Sequence, residues 1–333
     1  SRASDPRRRR RPPIARGRGG RPRAGGPTAR PQAMEAARPR APAPRGAGSW
    51  LILAHAWGVC LAAPAAVVSV PDLHGDYERA VQVLSAAGLV DPGTLEWTGR
   101  NVTLVQTGDI VDRGSDGKKI YELFFRLAGE AQRAGGSVVN LLGNHELMNL
   151  QQDLRYVSQG DFEAFGGRLA RQEAWAPDGW LGQRVRTFPA AALAGGVLFV
   201  HAGLLPRFLD DAEGLRGLND RMLAAVAADA RPKLRASAAL LEADGPVWTR
   251  EYPEGPDARV CAMAEDVLRR VGAFRMVVGH TIQEGPSGFR VRTRCSGRVV
   301  LADTAISRAY GGEPSYVEHD GEGGAVAVYP GLG

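Results

Sequence analysis

Between residues 66 and 310 the chain repeats one arrangement: a short run of apolar, often β-branched residues passes directly into a polar cluster. Val67–Val70 leads into Asp72-Leu73-His74-Gly75-Asp76. Val102–Gln106 leads into Gly108-Asp109-Ile110-Val111-Asp112-Arg113-Gly114, and Val138–Leu142 into Gly143-Asn144-His145-Glu146. Val197–Val200 is followed by His201-Ala202-Gly203, and Met276–Val278 by Gly279-His280-Thr281. Runs this short, bounded by turn residues, read as buried strands. Helical spacing lies between them. Tyr77, Ala80, Val81 and Leu84 mark one helix; Ile120, Leu123, Phe124 and Leu127 mark another across Lys118–Ala134. Val299–Leu301 is a further strand, and residues 150–182 and 207–245 are expected to be helical. This alternation predicts an α/β fold. No Pro/Gly linker divides residues 66–330, so one domain is expected there.

Ligand sites in α/β folds gather where strands end. A lone Asp-x-His or Asn-His-Glu is more often an ordinary turn than a ligand set. Five such clusters at successive strand ends are another matter, and they hold four of the six histidines. Carboxylate, carboxamide and imidazole groups converging from five loops point to a two-metal site. The adjoining glycines suit tight turns and close approach to a ligand. His55 and His319 lie outside the clusters and receive no role.

Charge divides the chain unevenly. Residues 1–49 hold 14 Arg against Asp5 and Glu35, a net of +12, so the other 284 residues carry −6 of the overall +6. The folded part therefore offers no broad basic face for nucleic acid. Nine of the 22 prolines also fall in 1–49, with few large apolar side chains, which predicts a disordered leader. From Met34 the chain reads as a targeting segment. Arg38, Arg40 and Arg45 precede the uncharged run Trp50–Leu61, and Ala63-Pro64-Ala65 offers a small-residue cleavage site. The expectation is a signal or transit segment over 50–65, delivering the chain to the secretory pathway or a plastid. No stable membrane span is expected, because Pro64 interrupts the apolar run and Val67–Val70 belongs to the fold. Asn101-Val102-Thr103 is a glycosylation sequon, expected to stay unmodified at the entrance to a buried strand. Three cysteines cannot make a disulfide scaffold, and whether Cys261 and Cys295 pair is open at this stage.

The five clusters, in this order, resemble the signature blocks of the phosphoprotein phosphatases within the calcineurin-like metallophosphoesterases. Val105-Gln106-Thr107, Leu147-Met148-Asn149-Leu150 and Ser307-Arg308-Ala309-Tyr310-Gly311-Gly312 are similar to the bacterial-like Shewanella-type group. Two positions depart from the wider pattern: Pro71 and Ala202 stand where Gly is usual, and neither is a ligand position. The resemblance implies a two-sheet β-sandwich flanked by helices (α/β/β/α). It implies two metal ions, with Asp72, His74 and Asp109 at the first and Asp109, Asn144, His201 and His280 at the second. No thiolate falls at a ligand position, which suits Mn, Fe or Zn. Arg113 and Arg250 would hold the phosphate, His145 would be the general acid oriented by Asp112, and Tyr310 would line the substrate pocket.

The reaction so implied is phosphomonoester hydrolysis. Enzymes accelerate it by up to ~10²¹, of which a general base supplies only about 10²–10⁴. A hydroxide bridging two metals answers that magnitude better, since coordination lowers the pKa of water from about 15.7 to about 7. The expected substrate is phosphoserine or phosphothreonine in a protein or peptide. The alternative is a phosphotyrosine, small-molecule or dinucleoside polyphosphate phosphatase on the same metal core.

Overall fold

The structure is a computed structural model that describes residues 66–210, 212–229, 238–321 and 323–331. The expectations for the leader and for the segment 50–65 lie outside these residues.

The buried apolar runs become the strands β1 (Val67–Val70), β2 (Thr103–Gln106) and β3 (Ser137–Asn140), followed by β4 (Ala191–Ala194), β5 (Val197–Val200) and β6 (Arg275–Val278). A small hairpin, β7 (Glu284–Gly285) and β8 (Gly288–Phe289), precedes β9 (Arg292–Arg294) and β10 (Val299–Leu301). The chain closes with β11 (Tyr316–His319) and β12 (Ala325–Val328). Two five-stranded sheets result, ordered β12-β11-β1-β2-β3 and β4-β5-β6-β10-β9. Each has three parallel strands, β1-β2-β3 reaching one edge of the first sheet and β5-β6-β10 at the centre of the second, and the strands beside them pair antiparallel.

Period-two alternation sends neighbouring side chains to opposite faces of a strand. In β1, Val68 and Val70 join the larger core, which takes in Ala80, Val83, Ile120, Phe124 and Leu127 from the helices. Val67 instead meets Val105, Phe199, Val277 and Val300 in a thin layer between the two sheets. The helices α1 (Tyr77–Ala86) and α2 (Gly117–Arg133) come first. Asp76 caps α1, accepting from Arg79 N. α2 buries Ile120, Leu123, Phe124, Leu127 and Ala131, a helical stripe against the first sheet. α3 (Asn144–Leu150) is buried throughout. α4 (Gln159–Ala164), α5 (Arg168–Trp175) and α6 (Gly182–Val185) are short, and α7 (Gly214–Asp229) lies on β4. α8 (Glu251–Glu254) and α9 (Asp257–Val271) complete the set, with α9 against β6.

The fold is the expected sandwich of two mixed sheets flanked by helices. The antiparallel strands were not anticipated. β4 and β12 are short, half-exposed and built of Ala with a single Leu or two Val, and β9 is Arg-Thr-Arg, so none shows the run of large buried side chains that marks the parallel strands. β11 lies inside its sheet, between β12 and β1, but is polar in sequence, and its His319 pairs with Ser69 at 3.0 Å in the interior. Asn101 is exposed in the turn before β2, so burial does not shield the sequon as expected. Cys261 of α9 and Cys295 of the β9–β10 turn form a disulfide, their Cα atoms 5.2 Å apart. Among the described residues, no helix is long and apolar enough to cross a membrane.

Candidate metal centre

All six parallel strands release a polar side chain at their C-terminal ends, and these meet at one end of the sandwich. β1 delivers Asp72 and His74; β2 delivers Asp109, Asp112 and Arg113; β3 leads to Asn144 and His145; β5 and β6 supply His201 and His280. A cavity of about 360 Å³ is lined by His74, Asp109, Arg113, Asn144, His145, Arg250 and His280, with Tyr156, Trp248 and Tyr310 among its walls. Asp72, Asp112 and His201 stand immediately behind this lining, bonded to it.

Sharp turns bring these side chains together. His74 (φ 40°), Asp109 (φ 59°), Asp112 (φ 72°), Arg113 (φ 68°) and His280 (φ 64°) all adopt left-handed backbone conformations. Each such residue costs about 1–2 kcal/mol, a strain found where surrounding contacts over-determine the chain. Those contacts are visible. Leu73 N and His74 N both donate to Asp109 O at 3.0 Å, Gly75 N to Ile110 O, and Gly114 N to His74 O. The two loops lie so close that a Cβ on Gly75 would meet Gly114 C at 2.7 Å. Glu146 is the buried peg of this assembly: its carboxylate accepts from Asp109 N, Ile110 N, Gly143 N and the Tyr121 hydroxyl.

Three imidazoles share a pattern. His74 Nδ1 bonds Val111 O (3.2 Å), His201 Nδ1 bonds Thr107 O (2.9 Å), and His280 Nε2 bonds Trp248 O (3.1 Å). A carbonyl only accepts, so each ring carries its N–H on that outer nitrogen. The inner nitrogens then offer lone pairs to oxygens. His201 Nε2 and His280 Nδ1 lie 2.9 and 2.8 Å from Asn144 Oδ1, and His201 Nε2 lies 3.4 Å from Asp109 Oδ1. His74 Nε2 stands 3.7 Å from Asp109 Oδ2 and 4.0 Å from Asp72 Oδ2. Acceptors facing acceptors in a buried pocket call for a cation between them, and the donor set fits one. Main-chain carbonyls fixing the outer nitrogens are the usual support of metal-binding histidines.

Electrostatics agree. Burial and then the Asp303 charge push Asp72 well above the usual carboxylate range. Burial acts on Asp109 in the same sense, but the charges of His201 and His145 outweigh it and hold Asp109 well below. Burial lowers His74 to about 4 and His280 to about 3. His201 goes the other way: despite burial, the Asp109 carboxylate raises it to about 10, so with no ion present a proton on Nε2 takes the cation's place between His201 and Asp109. Two groups of three side chains can each close on an ion, His74–Asp109–His145 and Asp109–His201–His280, and both contain Asp109.

His145 is built differently from the other three. Its Nδ1 lies 2.7 Å from a carboxylate, Asp112 Oδ2, and its main-chain N–H donates to Asp109 Oδ1. Burial disfavours its charged form, yet Asp109 and Asp112 together raise its pKa.

A profile described as calcineurin-like phosphoesterase matches residues 66–283. The chain belongs to the calcineurin-like phosphoesterase family. An uncharacterised protein of Schizosaccharomyces pombe is 35% identical over 80% of this chain and 82% of its own. Shewanella-like protein phosphatase 2 of Arabidopsis thaliana is 30% identical over 74% and 72%. Among solved structures, a cold-active protein-tyrosine phosphatase of a psychrophilic Shewanella matches with a TM-score of 0.67 and 26% identity, covering 79% of this chain and 80% of that one. This calcineurin-like protein is a phosphoester hydrolase with a His/Asp cluster placed to bind metal ions.

All ten site residues expected from sequence meet at this centre. Arg250 reaches the cavity rim with Nη1 3.0 Å from Thr281 Oγ1, in the same loop whose Trp248 carbonyl holds His280. Tyr310 lines the cavity beside His74, ring centres 5.0 Å apart. Sequence reasoning missed Asp303, which follows β10 and lines the cavity. Burial raises it to about 6. The rule that located the others, a polar residue just past a buried strand, would have found it. Tyr156, whose ring lies 3.9 Å beneath the Arg113 guanidinium, had no such signal.

Proposed function

We propose that this enzyme hydrolyses phosphoserine and phosphothreonine monoesters in proteins. Asp72, His74 and Asp109 would hold one ion, and Asp109, Asn144, His201 and His280 a second. Imidazole, carboxylate and carboxamide donors without thiolate suit Mn, Fe or Zn. Bound there, the ions would polarise the phosphoryl oxygens and acidify the attacking water. Arg113 and Arg250 clamp the remaining phosphoryl oxygens, a task suited to the guanidinium fork. As the attacking oxygen bonds to phosphorus, the phosphorus–oxygen bond to the side chain breaks, its electron pair going to the leaving oxygen, which takes the proton of His145 Nε2.

The observation carrying this reading is the buried His145–Asp112 pair at 2.7 Å, whose His145 lines the same cavity as Arg113 and Arg250. A proton donor matters most for a poor leaving group such as the serine alkoxide, and little for an aryl oxide. Tyr156, Tyr310 and Trp248 on the walls support a second reading, phosphotyrosine, as does the tyrosine phosphatase among the structural relatives. Measuring kcat/KM on matched phosphoserine, phosphothreonine and phosphotyrosine peptides, with diadenosine tetraphosphate as a further substrate, decides. Serine or threonine should lead; a clear tyrosine preference reverses the assignment, and a preference for the dinucleotide removes the protein substrate altogether. The apolar run at 50–65 and the Cys261–Cys295 disulfide support delivery to an oxidising compartment. Mass-spectrometric sequencing of the mature N-terminus tests that; a terminus upstream of Trp50 contradicts it.

A further inference from the structure

Behind His145 a line of buried polar side chains runs away from the cavity. Asp112 Oδ1, the oxygen not engaged by His145, accepts from Asn149 Nδ2 at 3.0 Å. The same amide nitrogen donates to His145 O at 2.9 Å. Asn149 Oδ1 accepts from Arg171 Nη1 at 2.7 Å, and Arg171 Nε donates to Asp161 Oδ2 at 2.7 Å. Asp112, Asn149, Asp161 and Arg171 are each 0% exposed. The line therefore links the β2 loop, α3, α4 and α5.

Its chemistry permits one arrangement only. Arginine has donors alone and an ionised carboxylate has acceptors alone. The Asn149 amide between them must point its oxygen at Arg171 and its nitrogen at Asp112. Both oxygens of Asp112 are then tied down, one by Asn149 and one by His145, so the carboxylate cannot turn. Arg171 also adds charge, with Nη2 3.8 Å from Asp112 Oδ1. That Nη2 has no hydrogen-bond partner of its own. A buried ion pair is weak grounds for stability, since apolar residues of similar volume often serve as well. Keeping an arginine in this interior, against the rings of Phe162, Phe165 and Trp175, needs another reason.

We propose that Arg171 is a positioning residue: acting through Asn149, it locks the Asp112–His145 pair so that His145 Nε2 faces the phosphate cavity. The inference rests on the reading of His145 as the proton donor, and its test keeps the two apart. The holoenzyme is compared with Asn149→Leu, with the double variant Arg171→Met/Asp161→Asn, and with His145→Gln as reference. The double variant removes both buried charges together, so neither is stranded. A phosphoserine peptide needs a protonated leaving group, and p-nitrophenyl phosphate does not. Both relay variants should lose about 10- to 100-fold in kcat on the peptide and under about threefold on the aryl ester, with KM and metal content unchanged. A merely structural role would lower both rates alike. Equal losses on the two substrates in variants that keep their metal, while His145→Gln discriminates, overturn the role of Arg171 alone. Equal losses in His145→Gln itself overturn the proton-donor reading and this inference with it. Should the double variant not fold, Asn149→Leu decides by the same ratio.

Discussion

Replacing Glu146 by Gln changes one buried oxygen into an NH₂ group and leaves the shape intact. Oε2 accepts from Asp109 N (2.7 Å) and Gly143 N (2.9 Å), while Oε1 accepts from Ile110 N (2.9 Å) and the Tyr121 hydroxyl (2.7 Å). Gln can place its NH₂ at either position. At Oε2 it would confront two main-chain N–H groups that cannot move. At Oε1 the Tyr121 hydroxyl can rotate and accept from it, so only Ile110 N–H loses its partner. The second orientation wins. One buried N–H left unpaired costs about 1–3 kcal/mol. The charge assistance lost from the other bonds is offset by relief of two penalties, burial of the carboxylate and its repulsion by Asp109, which together raise the Glu146 pKa. At about 2–4 °C per kcal/mol for a chain of this size, Glu146→Gln should melt about 2–12 °C below the parent. Glu146→Ala strands all four donors and opens a cavity, at least about 4 kcal/mol against a usual total of about 5–15, so it should scarcely accumulate folded. Thermal melts by circular dichroism, at fixed metal concentration, measure both. A Gln variant melting with the parent, beside an Ala variant that folds normally, would show that this carboxylate does not hold the loops.

Asp109→Asn should lose both ions and more than about 100-fold in rate, beyond the 10- to 100-fold cost of disturbing an outer-shell partner, as elemental analysis and turnover can check. Arg113→Ala and Arg250→Ala should raise the inhibition constant for inorganic phosphate and lower turnover while metal content stays at the parent value; parental phosphate inhibition in both would remove the clamp. Glu130, bonded by Trp97 N and Arg126, lies below its usual 4.5 because these bonds outweigh its slight burial, so its contribution is present above pH 4.5 and fades as pH falls through the folded-state value. Glu130→Gln should therefore melt below the parent at pH 7 and with it at pH 3. Loss of the Cys261–Cys295 crosslink, which spans 34 residues, should cost about 3–4 kcal/mol by loop entropy, read from denaturant melts of the double Cys→Ala variant.

Buried parallel strands read as plain apolar runs, which is why β1, β2, β5, β6 and β10, and the half-buried edge strand β3, were legible to within a residue or two. Their C-terminal clusters located the metal centre for the same reason: the fold puts every such end in one place. The supports of that centre were not legible. Glu146 sits inside a recognised cluster, but its partners are main-chain N–H groups, which no side-chain pattern displays. Arg171 lies on α5, and α4, α5 and α6 are each too short for an amphipathic period to build up. The disulfide depends on a tight turn at Cys295 and Ser296, both with φ near 55°, which brings β9–β10 against α9. Nothing in a separation of 34 residues announces it.

The inter-sheet layer is thin, nine buried residues among those described. The metal centre spans its end: Asp72, His74, Asp109 and Asn144 come from the first sheet, His201 and His280 from the second. Ions held there would act as a rivet between the sheets, and their occupancy would become a term in folding free energy. An ion present at 100 times its dissociation constant stabilises by about 2.7 kcal/mol per site. Metal supply would then govern how long the enzyme survives as well as how fast it works. Starvation would thin the population through unfolding and proteolysis instead of leaving a dormant reserve awaiting metal.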